Sequence, residues 1–403
     1  MRGRNQQTEV LIIHHSGYFG GAGISLIHII ECLKSIGCKI VVCCPFKPSN
    51  MRDIIENMGI ECIELPSSIE IYRHYAGSDK FFLDPRSLTN FFTLRFHQKE
   101  FAKVLIHNSS EVVMINTMTL AYLGKIVKKN NRRAICFNRE TYSKGTFGFR
   151  SRIIKKQLSE YFDKVVFISR YDEKKTGKIS SRGYVVTDKV ILGEYSNYAS
   201  NVVLDKNNFN VLYTGGMEKL KGAHVIIEAL RYCDKRVHLV FMQFDQPKRT
   251  KSIKDCFTIK SKIRFILGLD YGANTLKLIE KYNLWNQIDF FPLTYNMDTF
   301  YVESNVVVFP STIAHQARPI FESGAAKKPI IITRSENIAE FVEENKSGLL
   351  FRNNNSLELA KLIMRLFKDP DLCRKLGERN YELACQYHNF ESMKSELMEI
   401  LEI

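Results

Sequence analysis

The chain has 403 residues, 45% hydrophobic and 25% charged, without a low-complexity tract. This excludes a disordered or fibrous chain, and at about 150 residues per domain it predicts two or three cores. The formal charge of +15 favours anionic partners, whether nucleic acid, an acidic membrane surface or phosphorylated small molecules, and does not choose among them.

Ten cysteines are scattered from Cys32 to Cys385, with no CxxC pair and no metal-like Cys/His spacing. The adjacent Cys43 and Cys44, in an apolar run, read as small core hydrophobes, and with no disulfide framework a reducing, cytoplasmic setting is expected. The first apolar run is shorter than a signal-peptide core, and no run approaches the roughly 18 residues that span a bilayer. A soluble or peripheral protein is expected.

"EVLIIHH" (9–15) reads as a buried strand, followed by a glycine cluster at Gly17, Gly20, Gly21 and Gly23. Leu26, Ile29, Ile30 and Leu33 then recur at helical spacing, Gly37 stops the helix, and "KIVVCC" (39–44) is a second strand. Strand, glycine loop, helix, strand implies a parallel sheet. Further strands are expected at "VVMIN" (112–116), "RAICFN" (133–138) and "KVVFIS" (164–169), and residues 66–100 read as a helix flanked by loops. Histidines 14 and 15 end the first strand; they could line a cleft or be packed core groups.

Residues 193–208 are polar and aperiodic, and mark a linker. The pattern restarts with "FNVLYTGG" (209–216), a helix over "KGAHVIIEALRYC" (221–233), and strands at "RVHLVFMQF" (236–244), "QIDFFPL" (287–293), "NVVVFPS" (305–311) and "KPIIIT" (328–333). Three helical segments close the chain. Both glycine loops join a strand to a helix, where backbone N–H groups and the helix dipole suit a phosphate or a sugar hydroxyl; a tight structural turn is an equal reading. Neither has the GxGxxG or P-loop form. Lys219 and Lys221 near the second helix start make sense beside an anion, or as solvated surface groups.

After Pro310, His315, Gln316, Arg318 and Glu322 crowd the end of a strand, where open α/β sheets bind ligands. A helix is expected from about Pro319, with Glu322 in its first turn, either complementing the dipole or gripping the two hydroxyls of a ribose. "TRSE" (333–336) reads as a capping box for a short helix that ends at Gly348.

This order of elements and motifs resembles the retaining glycosyltransferases of family 4, over nearly the whole chain and most strongly over 209–385. The resemblance implies an α/β, GT-B fold, with two Rossmann-like parallel-sheet domains facing across a cleft. Residues 1–195 would form the acceptor domain and 209–385 the nucleotide-sugar donor domain, with a helix in 386–403 crossing back to the first. In "GGMEKLKG", Lys221 and Gly222 match the family's Lys-Gly, while Gly216 stands where an arginine is usual. Lys221 would then meet the donor diphosphate as a catalytic residue, and Arg318 is a candidate second cation. Glu322 matches the ribose-binding glutamate; eight positions earlier stands Ala314 instead of a second glutamate, next to His315. Gly20 and Gly21 match the N-terminal glycine loop. Asn138 takes a histidine-like place before Arg139 and Glu140, and Glu140 would orient the acceptor or stabilise positive charge, or form an ion pair with Arg139.

The resemblance implies metal-independent transfer of a hexose from a nucleotide diphosphate sugar, a UDP-sugar by family frequency, to a hydroxyl of a glycan or lipid-linked acceptor, with retention. The domains would close over the donor, which is a co-substrate; no cofactor and no metal are expected. The setting would be surface polysaccharide or glycoconjugate biosynthesis, in the cytoplasm or at the inner face of a membrane. Basic runs stand at 125–133, 150–156 and 245–265; the last, with Phe257, Ile263 and Phe265 interleaved, reads either as a solvated helix face or as a peripheral membrane contact that would suit a lipid-linked acceptor. The alternatives are a catalytically weak partner subunit of the same shape, kept open by Gly216 and Ala314, and a basic nucleic-acid-binding protein. No helix-turn-helix, zinc or aromatic-basic motif supports the latter, so no nucleic acid is expected.

Overall fold

The computed structural model describes residues 7–69, 85–140, 146–179, 182–190, 204–243, 259–292, 294, 297–314 and 318–403. The chain divides into two units, Met1–Lys189 with Phe390–Ile403, and Val190–Asn389.

The first unit is built on a seven-stranded parallel sheet: β1 (Glu9–Ile13), β2 (Lys39–Cys44), β3 (Glu61–Glu64), β4 (Val112–Ile115), β5 (Arg133–Asn138), β6 (Lys164–Phe167) and β7 (Arg182–Val185). Their spatial order is β3-β2-β1-β4-β5-β6-β7. Both faces are covered, which is why β1 and β4 are continuous apolar runs instead of alternating ones. Leu11 and Ile13 point into one core with Phe101, Leu105, Ile154 and Leu158 from helices Pro85–Ile106 and Phe149–Tyr161. Val10 and Ile12 point into the other, with Leu26, Ile29 and Leu33 of helix Gly21–Ser35 and Leu397, Ile400 and Leu401 of helix Phe390–Leu401.

The second unit holds a six-stranded parallel sheet: β8 (Phe209–Tyr213), β9 (Val237–Phe241), β10 (Ile288–Phe290), β11 (Val306–Phe309), β12 (Ile330–Thr333) and β13 (Gly348–Phe351), in the order β10-β9-β8-β11-β12-β13. The fold is thus α/β, with two Rossmann-like parallel sheets. In each, the chain order reverses beside the first strand, between β1 and β4 and between β8 and β11, and such switch points open crevices at the strands' carboxyl ends. The tail helices start where side chains cap them: Asn355 accepts from Glu358 N, and Asp369 from Leu372 N just before Pro370.

One expected element is absent. Residues 336–341 form turns, not a helix, and Gly348 opens β13 instead of ending a helix. The capping box does not form either, because Thr333 Oγ1 has no hydrogen-bond partner. A Cβ on Gly348 would fall 2.7 Å from the Ile330 carbonyl, so the glycine serves close strand packing.

Candidate functional site

In the second unit, the residues after β8 and β11 are stitched together. Thr312 N donates to the Leu220 carbonyl at 2.9 Å, and Ser311 Oγ donates to the same carbonyl at 3.1 Å. Gly222 has φ +81° and presses on the end of β11; a Cβ there would lie 1.9 Å from the Pro310 carbonyl oxygen. Only glycine fits such a contact. Tyr213, buried at the end of β8, donates its hydroxyl to the Gly216 carbonyl at 3.0 Å and so supports the loop from below. Gly216 itself has φ +58°, a conformation that an arginine would occupy only under strain.

Lys221 is half-buried, with its ammonium 5.4 Å from the centre of the Phe309 ring. Burial pushes its pKa down, and Glu218 opposes the shift. The N-terminus of helix Ala223–Leu230 is less available than the sequence implied. His224 N donates to the Tyr271 hydroxyl at 2.9 Å, and Val225 N and Ile226 N donate to the Gly222 carbonyl. The helix end therefore has few free amides to offer a ligand.

Helix Arg318–Ala325 follows β11 and carries Glu322. Arg318 Nε donates to Glu322 Oε1 at 3.0 Å, and the Tyr301 hydroxyl donates to Oε2. The pair is largely buried, with side chains 16% and 17% exposed. Glu322 is thus a pre-oriented carboxylate with one internal donor on each oxygen, and Arg318 is tied to it. His315 and Gln316 lie outside the described residues.

In the first unit, Gly20 N-caps helix Gly21–Ser35 without a side-chain bond, and Gly20 and Gly21 are exposed. Glu140 does not form the ion pair with Arg139. Its carboxylate accepts from Thr117 Oγ1 and from Met118 N at 2.9 Å, which holds the turn after β4. Arg139 pairs instead with Asp188, Nη1 to Oδ1 at 3.0 Å, with both side chains under 10% exposed. Of the basic run at 125–133, Arg132 donates to the carbonyls of Leu105 and Asn108, and Arg133 to that of Leu401, so part of that charge is structural. Helix Ile259–Ile266 carries an exposed Ile263; Phe257 lies outside the described residues.

Tyr301, Asp188 and Asn116 had no signal in the sequence, because each meets its partner across a long stretch of chain. Tyr213 had one: a tyrosine directly before a Thr-Gly-Gly loop is placed to fold back beneath it.

The loop of Lys221 and the helix of Glu322 fall inside a stretch that matches known proteins. Residues 197–383 match the family model of glycosyl transferases group 1. An uncharacterized glycosyltransferase of Methanocaldococcus jannaschii is 23% identical over 283 residues, 70% of this chain and 63% of that relative, so the chain spans under two thirds of its length. The glycosyl transferases group 1 region is joined by fold similarity over the whole chain. A structure of Anabaena HepE in complex with UDP and glucose superposes with a TM-score of 0.75 at 17% identity, covering 98% of this chain and all of that one. Sucrose-phosphate synthase from Thermosynechococcus elongatus gives 0.73 at 18% identity, covering 98% of each. No helix among the described residues is long and apolar enough to cross a membrane.

Proposed function

We propose that the chain is a retaining glycosyltransferase of family 4 that moves a hexose from a UDP-sugar to a hydroxyl of a glycan or lipid-linked acceptor, in surface polysaccharide or glycoconjugate assembly. The observation that carries this reading is the joined carboxyl end of β8 and β11. There a glycine loop fixed against Pro310 presents Lys221, and the following helix presents a pre-oriented Glu322. The UDP-bound Anabaena structure of the same fold supports the choice of donor.

The bond from the anomeric carbon to the diphosphate oxygen breaks, and the acceptor oxygen bonds that carbon on the same face. The hydroxyl proton passes to the departing diphosphate. Charge grows on the diphosphate as the bond opens, so groups that bind it more tightly then lower the barrier. Lys221 and the amides of the 214–222 loop fill that role without a metal. The outward lone pairs of Glu322 take the two ribose hydroxyls. Glu140 acts by positioning the turn after β4.

The test is a thermal-shift series with nucleoside diphosphates, followed by product analysis with UDP-glucose. Stabilisation by UDP that Lys221→Ala abolishes agrees with the proposal; no nucleotide stabilising the chain refutes it. A second reading, a catalytically weak partner subunit, is favoured by the left-handed Gly216 at the arginine position and by Ala314. UDP binding without sugar transfer or hydrolysis would select it.

A further inference from the structure

The carboxyl edge of the first sheet holds buried polar atoms with no partner. His14 follows β1 and is fully buried, and its Nε2 has no hydrogen-bond partner. Asn138, at the end of β5, buries both Nδ2 and Oδ1 without one. Buried polar groups are costly when left unsatisfied, so these two at the carboxyl edge of the strands, where open α/β sheets bind ligands, point to a polar ligand.

The hydrogen bonds around His14 fix its protonation. Arginine only donates, so the Asn116 atom facing Arg139 Nε at 2.7 Å is the carbonyl oxygen Oδ1. The amide nitrogen Nδ2 then faces His14 Nδ1 at 3.2 Å, and Nδ1 must accept. A protonated ring would set two donors against each other. The His14 proton therefore sits on Nε2. Arg139 is itself held by Asp188 at 3.0 Å, and Asp188 accepts from Ser25 Oγ on helix Gly21–Ser35. The neighbouring His15 ring, 4.9 Å away centre to centre, and Arg139 both oppose a charge on His14, as does its burial.

We propose that His14 is a fixed neutral donor whose Nε2–H binds a hydroxyl oxygen of the acceptor sugar, and that Ser25, Asp188, Arg139 and Asn116 are positioning residues that set its tautomer. This rests on the glycosyltransferase reading for the identity of the ligand, but the tautomer does not. Glu140 and Thr117 bond each other and are not part of the chain of contacts.

The experiment is 15N NMR of histidine-labelled full-length protein. Wild type is expected to show His14 wholly as the Nε2–H tautomer, and Asn116→Leu a mixture of both neutral forms. A panel of methyl glycosides (gluco, galacto, manno and N-acetylglucosamine) should include one that shifts the Nε2 resonance. That sugar should bind Asn116→Leu and His14→Phe at least tenfold more weakly, while the UDP-induced thermal shift stays the same. An Nδ1–H tautomer in wild type overturns the relay, whether or not the variants fold. No response to any sugar of the panel, or full sugar affinity in His14→Phe, overturns the binding role. Loss of UDP binding in the wild type would instead count against the glycosyltransferase reading.

Discussion

In the proposed reaction, Lys221 is the residue on which the chemistry turns. Its ammonium lies partly out of water, where a charge is worth more to an incoming anion than at the surface. Lys221→Ala should lower kcat/KM for UDP-glucose by about 10²–10³-fold, the usual cost of removing one group that stabilises transition-state charge. If lysine and loop amides meet that charge, a chelator such as EDTA should leave turnover unchanged within about twofold. Glu322→Gln should weaken UDP by about tenfold in calorimetry, as expected for a hydrogen bond to a charged group. Tyr301→Phe, which leaves the carboxylate in place, should have a smaller effect. Residue types at these positions were legible from the chain alone. Their partners were not, since the Tyr301–Glu322 and Arg139–Asp188 contacts join distant segments.

Among the elements, the long buried strands announced themselves because parallel strands covered on both faces must be continuously apolar. β3, with "ECIE", and β7, with "RGYV", did not, because each is four residues long at a sheet edge and only partly buried. The turns over 336–341 passed for a helix because Ile338, Phe341 and Val342, at i, i+3 and i+4, imitate its spacing while serving a core under helix Arg318–Ala325. The glycines give a matched test. Gly222 and Gly37 both have left-handed backbones, φ +81° and +79°, but only Gly222 has an atom in the way of a Cβ. Gly37→Ala should cost about 1 kcal/mol for the backbone alone. Gly222→Ala should cost about 2–3 kcal/mol or more in urea unfolding, and should weaken UDP binding as the loop lifts from Pro310.

At the level of the whole molecule, the chain returns to its first unit by packing helix Phe390–Leu401 on helix Gly21–Ser35. Glu396 on helix Phe390–Leu401 is half-buried, and its Oε2 has no partner. Burial pushes its pKa up to about 7, Glu399 adds to the rise, and a hydrogen bond from the Thr187 backbone opposes it. The protonated carboxyl is favoured in the folded state, so its contribution is full below about pH 4.5, falls as pH rises towards 7 and is absent above. Urea unfolding from pH 5 to 8 should show this decline, and Glu396→Gln should flatten it and raise stability at pH 8. What the sequence determined by itself was local: long apolar runs that form the buried strands, the longer periodic runs that form helices, and two glycine loops suited to an anion. Those follow from backbone sterics and side-chain period, which neighbours in the chain dictate. Only the tertiary structure decided which loop lies against which strand end, which carboxylates are already engaged and which polar atoms are left without a partner. Hydrogen bonding and burial at those points depend on groups that chain folding, not chain order, brings into reach.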